Sequence, residues 1–338
     1  MKYLFAITLL LLVVALAANW SLIGVAVTGQ EAEAAGMDST SKITGLNSFL
    51  GQFDTKNLAI PQAEIRRGGP AKDGIPAITD PRVTNAGNVH FLGPADRVAG
   101  VAVDGEARAY PIRLLNWHEV INDRLGSVPL AVIYCPLCDS VSVVDRRIDN
   151  ETLEFGVSGL LLDSNVLLYD RTDNALWSQV GFEAISGPHA GHSLRHLPFD
   201  LTTFEQWNTK HPNSTVVTFE TGHRRNYREN PYGRYFDSDD LMFPAKGADD
   251  RRLPRKEPVV GIQVGGAERA YPVRQVADAP DGRIEELVGD GRVIIEALDD
   301  GRYVRVVEVP DSALVVHTFW FAWISFHPQT TVFELKPK

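Results

Sequence analysis

Apolar positions fall into distinct regimes along the chain. Leu4 to Ala18 is an unbroken apolar run behind Lys2; Asn19-Trp20-Ser21 interrupts it and Leu22 to Val27 resumes it. The pattern predicts an export segment over residues 1–28. It reads as a signal peptide, with Ala32-Glu33-Ala34 as a small-x-small cleavage site, or as an uncleaved membrane anchor, because the two stretches together can span a bilayer. Either way the body is expected outside the cytoplasm, periplasmic or extracellular, with the membrane as a partner if the segment stays. Residues 29–60 are small and polar and read as a flexible linker.

Beyond residue 60 the pattern changes to short apolar runs cut by Gly, Pro, Asp and Asn. These predict an α+β body that is mostly β. Val128 to Tyr134 and Ser140 to Val144 read as strands, and Arg283 to Val288, Arg292 to Leu298 and Arg302 to Val309 as a meander. Arg113 to Asp123 is the exception. Leu114, Trp117 and Ile121 fall at helical spacing, which predicts a helix with His118 and Asn122 one turn apart at the edge of its apolar stripe.

The chain repeats itself. Val98 to Arg113 reads VAGVAVDGEARAYPIR and Val259 to Arg274 reads VVGIQVGGAERAYPVR, with nine of sixteen positions identical. Each copy predicts a β-hairpin, turning at Asp104-Gly105 or Gly265-Gly266, pairs that accept the positive φ of tight hairpin turns. The expectation is two related halves from a duplication, 61–245 and 246–338. Only the first carries distinctive chemistry: the position aligned with His118 is Ala279, and the second half has no cysteine.

That chemistry is sulfur. The chain has two cysteines, adjacent in Cys135-Pro136-Leu137-Cys138. Outside the cytoplasm a nearby pair oxidises readily. Three uses compete: a redox-active dithiol, soft-metal ligation of the copper(I) kind, and a structural disulfide in a non-enzymatic module. A staple across so short a loop restricts the unfolded chain little, about 2 kcal/mol. The metal reading makes Cys135, Cys138 and His118 the ligands and copper(I) or another soft metal the cofactor. The redox reading makes one cysteine the attacking thiol and the other the resolving thiol. His118 would then be the base, with Asn122 and Asp123 orienting it. The partner is a thiol or disulfide in one case and a metal donor in the other. No helix follows the pair, so its activation has to come from elsewhere than a helix dipole.

Other signals are weaker. The formal net charge of −10 argues against nucleic acid. Ser158 lacks the spacing and strand-to-helix setting of a hydrolase elbow, and His118-Glu119 has Asn122 where a zinc protease needs its second histidine. Trp177 and Gln179 share a strand face that can line a pocket, and Asp170-Arg171 sits at the turn before it.

Together WHEVIND (117–123), YCPLCDS (134–140), FGVSG (155–159), YDRTDNALWSQ (169–179) and YGRYFDSDDLMFP (232–244) resemble the family catalogued as domain of unknown function 3179. The resemblance covers about residue 70 to the C-terminus, and FWFAWISFHPQT (319–330) fits it too. It implies an exported or membrane-tethered prokaryotic protein. Some members of that family carry selenocysteine in the segment like CPLC, which implies redox or soft-metal work for Cys135 and Cys138. It also puts His118, Glu119, Asn122, Asp123, Asp170, Arg171, Trp177 and Gln179 on motif positions, with Asp170, Arg171, Trp177 and Gln179 as the substrate-binding candidates. No activity is implied.

Overall fold

Short β runs dominate the observed chain as they do the sequence. The computed structural model describes residues 39–298 and 301–335. The export segment expected over 1–28 lies outside the described residues. Of the expected linker, residues from 39 onward are described, and Ser39–Leu50 is a helix rather than flexible chain. No described helix is long and apolar enough to cross a membrane.

Among the described residues of the body, Phe53 onward, the strands form five sheets. The largest runs Ile78–Thr79, Val120–Leu125, Val128–Cys135, Ser140–Asp145, Leu314–Phe319, Pro258–Val264, Ala267–Pro272, Thr331–Val332. It thus joins the cysteine hairpin to the second half of the chain, through His317 opposite Val141. Phe155–Leu162, Asn165–Asp170 and Leu176–Ser178 form most of a four-stranded sheet packed on the cysteine side. The expected meander is present as Arg283–Val288, Gly291–Leu298 and Tyr303–Glu308.

The helix expected over Arg113–Asp123 is only half there. Ile112–His118 is helical, starting directly after Pro111, whose fixed φ suits a helix entry. Glu119 then takes a left-handed conformation, φ 58° and ψ −31°, and Val120–Leu125 is a strand paired with Val128–Cys135. The correction has a packing cause. Val120 and Ile121 bury on opposite sides, in two separate cores, which only strand alternation allows. Asn122 is therefore not one helical turn from His118.

Both repeated segments form hairpins in one register: Val98 pairs Pro111 and Val101 pairs Arg108, as Val259 pairs Pro272 and Ile262 pairs Arg269. The likeness reaches further than the repeat visible in the sequence. Asp200–Thr203 and Leu314–Phe319 flank the two hairpins antiparallel, and the helices Phe204–Lys210 and Trp320–Phe326 follow. Trp207 then lies on Gly100 as Trp323 lies on Gly261. Their indole N–H groups donate to Ser214 Oγ at 3.1 Å and Thr330 Oγ1 at 2.9 Å. Thr215–Val217 and Thr331–Val332 close each unit as parallel strands. Between hairpin and closing strands, the first unit carries the cysteine hairpin and the second the meander.

Candidate functional site

Cys135 and Cys138 are the first and fourth residues of one β-turn. The Cys138 N–H donates to the Cys135 carbonyl at 3.2 Å, and Pro136 fills the second position, where its φ is already correct. Asp139, left-handed at φ 47°, returns the chain to the ladder so that Cys135 pairs with Ser140. Strand, CPLC turn, strand is thus the local order.

The Leu137 and Cys138 carbonyls of the turn are held by residues distant in the sequence. Tyr235 Oη donates to the Leu137 carbonyl at 2.8 Å. The Phe319 N–H at 2.8 Å and Thr318 Oγ1 at 3.1 Å both donate to the Cys138 carbonyl. The second half of the chain therefore braces the turn. Asp139 is held by Arg97 Nη1 and by Tyr134 Oη, each at 2.9 Å.

Both sulfurs are fully buried and neither is in a disulfide. They face the same backbone carbonyl, that of Ser164, at 3.9 Å from Cys135 Sγ and 3.3 Å from Cys138 Sγ. Ser164 occupies a two-residue turn whose residues, Asp163 and Ser164, are both left-handed at 48° and 64°. Neither is glycine, so the turn is strained where it meets the sulfurs. Asn165 Nδ2 reaches Cys138 Sγ at 3.6 Å and Gln179 Oε1 at 2.6 Å. Gln179 also accepts from Ser140 Oγ at 2.7 Å and donates to Ser142 Oγ at 2.7 Å.

The two thiols are electrostatically unequal. Burial pushes the Cys135 thiol up, but the Cys138 thiol and the backbone N–H groups of Val166, Cys138 and Leu137 aim at its sulfur, and its pKa falls below the ordinary thiol value. Burial and the neighbouring Cys135 push Cys138 well up.

His118 is not joined to the cysteines. Its Nδ1 lies 2.7 Å from the Pro76 carbonyl and its Nε2 2.7 Å from Tyr227 Oη. A carbonyl only accepts, so Nδ1 carries the proton and Nε2 accepts from the tyrosine. Neither nitrogen is left for a sulfur or a metal. Burial lowers its pKa to about 4, so the ring is neutral and cannot favour a thiolate as an imidazolium would. The base and ligand roles expected for His118 are corrected on these grounds. Asn122 pairs its amide with the backbone of Phe155, donating at 2.8 Å and accepting at 2.9 Å, and so ties two sheets together. Asp123 accepts from Arg108 at 2.6 Å and Tyr110 at 2.8 Å. Neither Asn122 nor Asp123 orients His118.

The substrate-binding candidates divide. Asp170 is buried, accepting from Trp177 Nε1 at 2.9 Å and from the Asp173 N–H at 2.7 Å. Trp177 packs edge-on against Phe155. Arg171 is half-buried and pairs with Asp73 at 2.9 Å and Glu154 at 3.1 Å. Of the four, Gln179 stands in the cysteine site, through Asn165.

Sequence reasoning missed Ser164 and Asn165, whose Asp-Ser turn carries none of the usual hairpin signals. It also left Glu119 without a role. A cavity of about 180 Å³ adjoins the turn, lined by Glu119, Leu137, Val157, Val166, Tyr232 and Phe243 among others. No group of three or more potential metal ligands occurs among the described residues. Two thiolates binding a metal linearly would not form such a group.

The family model described as "Protein of unknown function (DUF3179)" matches residues 72–315. The chain belongs to this family. The match spans the CPLC turn, its Ser164–Asn165 neighbours and Glu119, while Thr318 and Phe319, which hold the Cys138 carbonyl, lie just beyond it. No curated protein and no solved structure matches the chain.

Proposed function

We propose that this DUF3179 protein is an extracytoplasmic thiol–disulfide exchange protein, with Cys135 the attacking thiolate and Cys138 the resolving thiol. The observation that carries the reading is the asymmetry of one turn. The two sulfurs end one four-residue turn and share a carbonyl neighbour, yet the Asn165 side-chain amide reaches Cys138 alone, and the Cys135 thiol is held below its ordinary value while Cys138 is pushed up. A structural staple needs no such difference; exchange does, because one sulfur must attack and the other wait. The apolar N-terminal run supports export, and the body's place beyond the membrane would provide the oxidising setting. We also read the two alike units as products of a duplication, supported by the shared hairpin register and the paired Trp-on-Gly contacts. In that reading the second unit has become a brace for the turn.

Single substitutions test the assignment. Reduced Cys138→Ser incubated with bis(2-hydroxyethyl) disulfide should accumulate a mixed disulfide on Cys135, seen by intact mass. Cys135→Ser should form none at comparable times. The reverse pattern, or no adduct in either, would overturn the proposal. The soft-metal reading shares both sulfurs and is decided on the same sample: stoichiometric copper that survives dialysis and is lost in Cys135→Ser would favour it.

A further inference from the structure

Glu119 occupies a position where ordinary strand geometry would not put it. Its carbonyl accepts from the Tyr134 N–H at 2.8 Å, one step beyond the Val120–Ile133 pair, so it lies across the ladder from the residue preceding Cys135. Regular alternation would send its side chain to the face opposite Val120. The left-handed backbone at φ 58° redirects it into the cavity shared with Leu137 and Val166. Left-handed φ in a non-glycine residue is costly and persists where the surroundings impose it. The result is a buried glutamate, 4% exposed, on the wall of a largely apolar cavity.

We propose that Glu119 is a catalytic residue of the exchange reaction, donating its proton to the thiolate that leaves from a small, uncharged disulfide held in this cavity. The inference rests on the exchange reading of Cys135 and Cys138. Glu119 shares this space of about 180 Å³ with Leu137 of the cysteine turn, and behind it both sulfurs are buried, an arrangement that suits a small molecule better than a polypeptide disulfide. A thiolate expelled into apolar surroundings is poorly solvated, so a proton at the point of departure lowers the barrier. Burial and the neighbouring Cys135 hold the carboxyl pKa well above its ordinary value, which favours the protonated form.

The atoms and electrons balance. Cys135 thiolate attacks one sulfur of R–S–S–R′; the new bond joins Cys135 to S–R, the old S–S bond breaks, and R′S⁻ takes the Glu119 proton. Cys138 then gives its proton to the Glu119 carboxylate as its sulfur attacks Cys135 and expels RS⁻, which takes that proton in turn. Two electrons pass from the dithiol to the substrate. The products are the Cys135–Cys138 disulfide, two thiols and a carboxylate at Glu119. An external thiol reductant later restores two hydrogens, one to Cys138 and one to Glu119.

The test compares two reactions of the reduced full-length chain, in wild type and Glu119→Gln. One is oxidation by bis(2-hydroxyethyl) disulfide across pH 5–9. The other is alkylation by iodoacetamide, whose iodide leaves without a proton. We expect Glu119→Gln to slow the disulfide reaction on the order of 10²-fold near pH 7 and to remove the falling alkaline limb of its profile. Alkylation should change less than about threefold, and Glu119→Asp should recover part of the lost rate. Equal loss in both reactions would reduce Glu119 to a structural role, and no loss in either would remove it; both outcomes overturn the proposal. If wild-type protein reacts with neither reagent, the exchange reading fails and this one with it. A reactive wild type with an unaffected variant sinks only the role of Glu119.

Discussion

Asn165 points its side-chain amide at the sulfur of Cys138, 3.6 Å away, while its oxygen accepts the backbone N–H of Val180 at 3.2 Å. The amide is fixed by its neighbours, so its donor is committed to the sulfur and to Gln179. It opposes the burial that pushes the Cys138 thiol up. Replacing it with alanine should raise the Cys138 pKa further and slow resolution, so that mixed disulfide on Cys135 lasts longer in Asn165→Ala than in wild type. Alkylation rates against pH, read by mass spectrometry, check the first point, and quenched time courses check the second. An unchanged Cys138 pKa would remove Asn165 from the site.

Tyr227 donates to His118 Nε2 and accepts from Thr221 Oγ1 at 2.6 Å, so the histidine belongs to a polar chain that runs to Thr221 and includes neither sulfur. Tyr227→Phe leaves Nε2 without its donor. Loss of about 1–3 kcal/mol of stability is expected by denaturant titration, with Cys135 alkylation changed less than threefold. A large drop in thiol reactivity at unchanged stability would return His118 to the catalytic role.

Acid should weaken the fold before ordinary carboxylates titrate. Burial lowers both His118 and His317 to about 4. Between pH 6.5 and that value the unfolded chain binds protons that the folded chain refuses. Stability therefore falls as pH drops through this window, by up to roughly 3 kcal/mol per histidine. Denaturation midpoints at pH 7.5, 6 and 5 should decline in order. A flat profile would show that these rings are reachable by protons in the folded state.

The paired tryptophans make a symmetric prediction. An added methyl at Gly100 or Gly261 would fall within the ring of Trp207 or Trp323. Gly100→Ala and Gly261→Ala should each cost about 1–3 kcal/mol, as overpacked cores do. If either is tolerated within 0.5 kcal/mol, roughly the scatter of surface substitutions, the two units do not pack alike.

What could be read from sequence followed from local signals. The hairpins at Val98–Arg113 and Val259–Arg274 showed in their turn residues, and the place of CPLC between two strands showed in the β runs on either side. The second repeated segment escaped notice. Trp207, His211 and Pro212 recur as Trp323, His327 and Pro328, but at a different separation from the first repeat, because the intervening elements differ in length. The helix over 113–123 failed at Glu119, where a paired strand outweighed an apolar spacing that suited a helix equally well. His118 looked like the partner of the cysteines because it is near them in the chain. Its side chain instead follows the helix toward Pro76 and Tyr227, while Glu119, one residue on, turns toward the cavity. Left-handed backbone at a glutamate leaves no mark in composition or periodicity.

The most direct test of reversible sulfur chemistry is the reduction potential of the Cys135–Cys138 pair. It is obtained by equilibrating the full-length chain with graded dithiothreitol ratios and counting free thiols by mass. The account predicts a single two-electron transition in the range of exchange proteins, about −270 to −120 mV. A value well below about −300 mV, the range of structural disulfides, would contradict it.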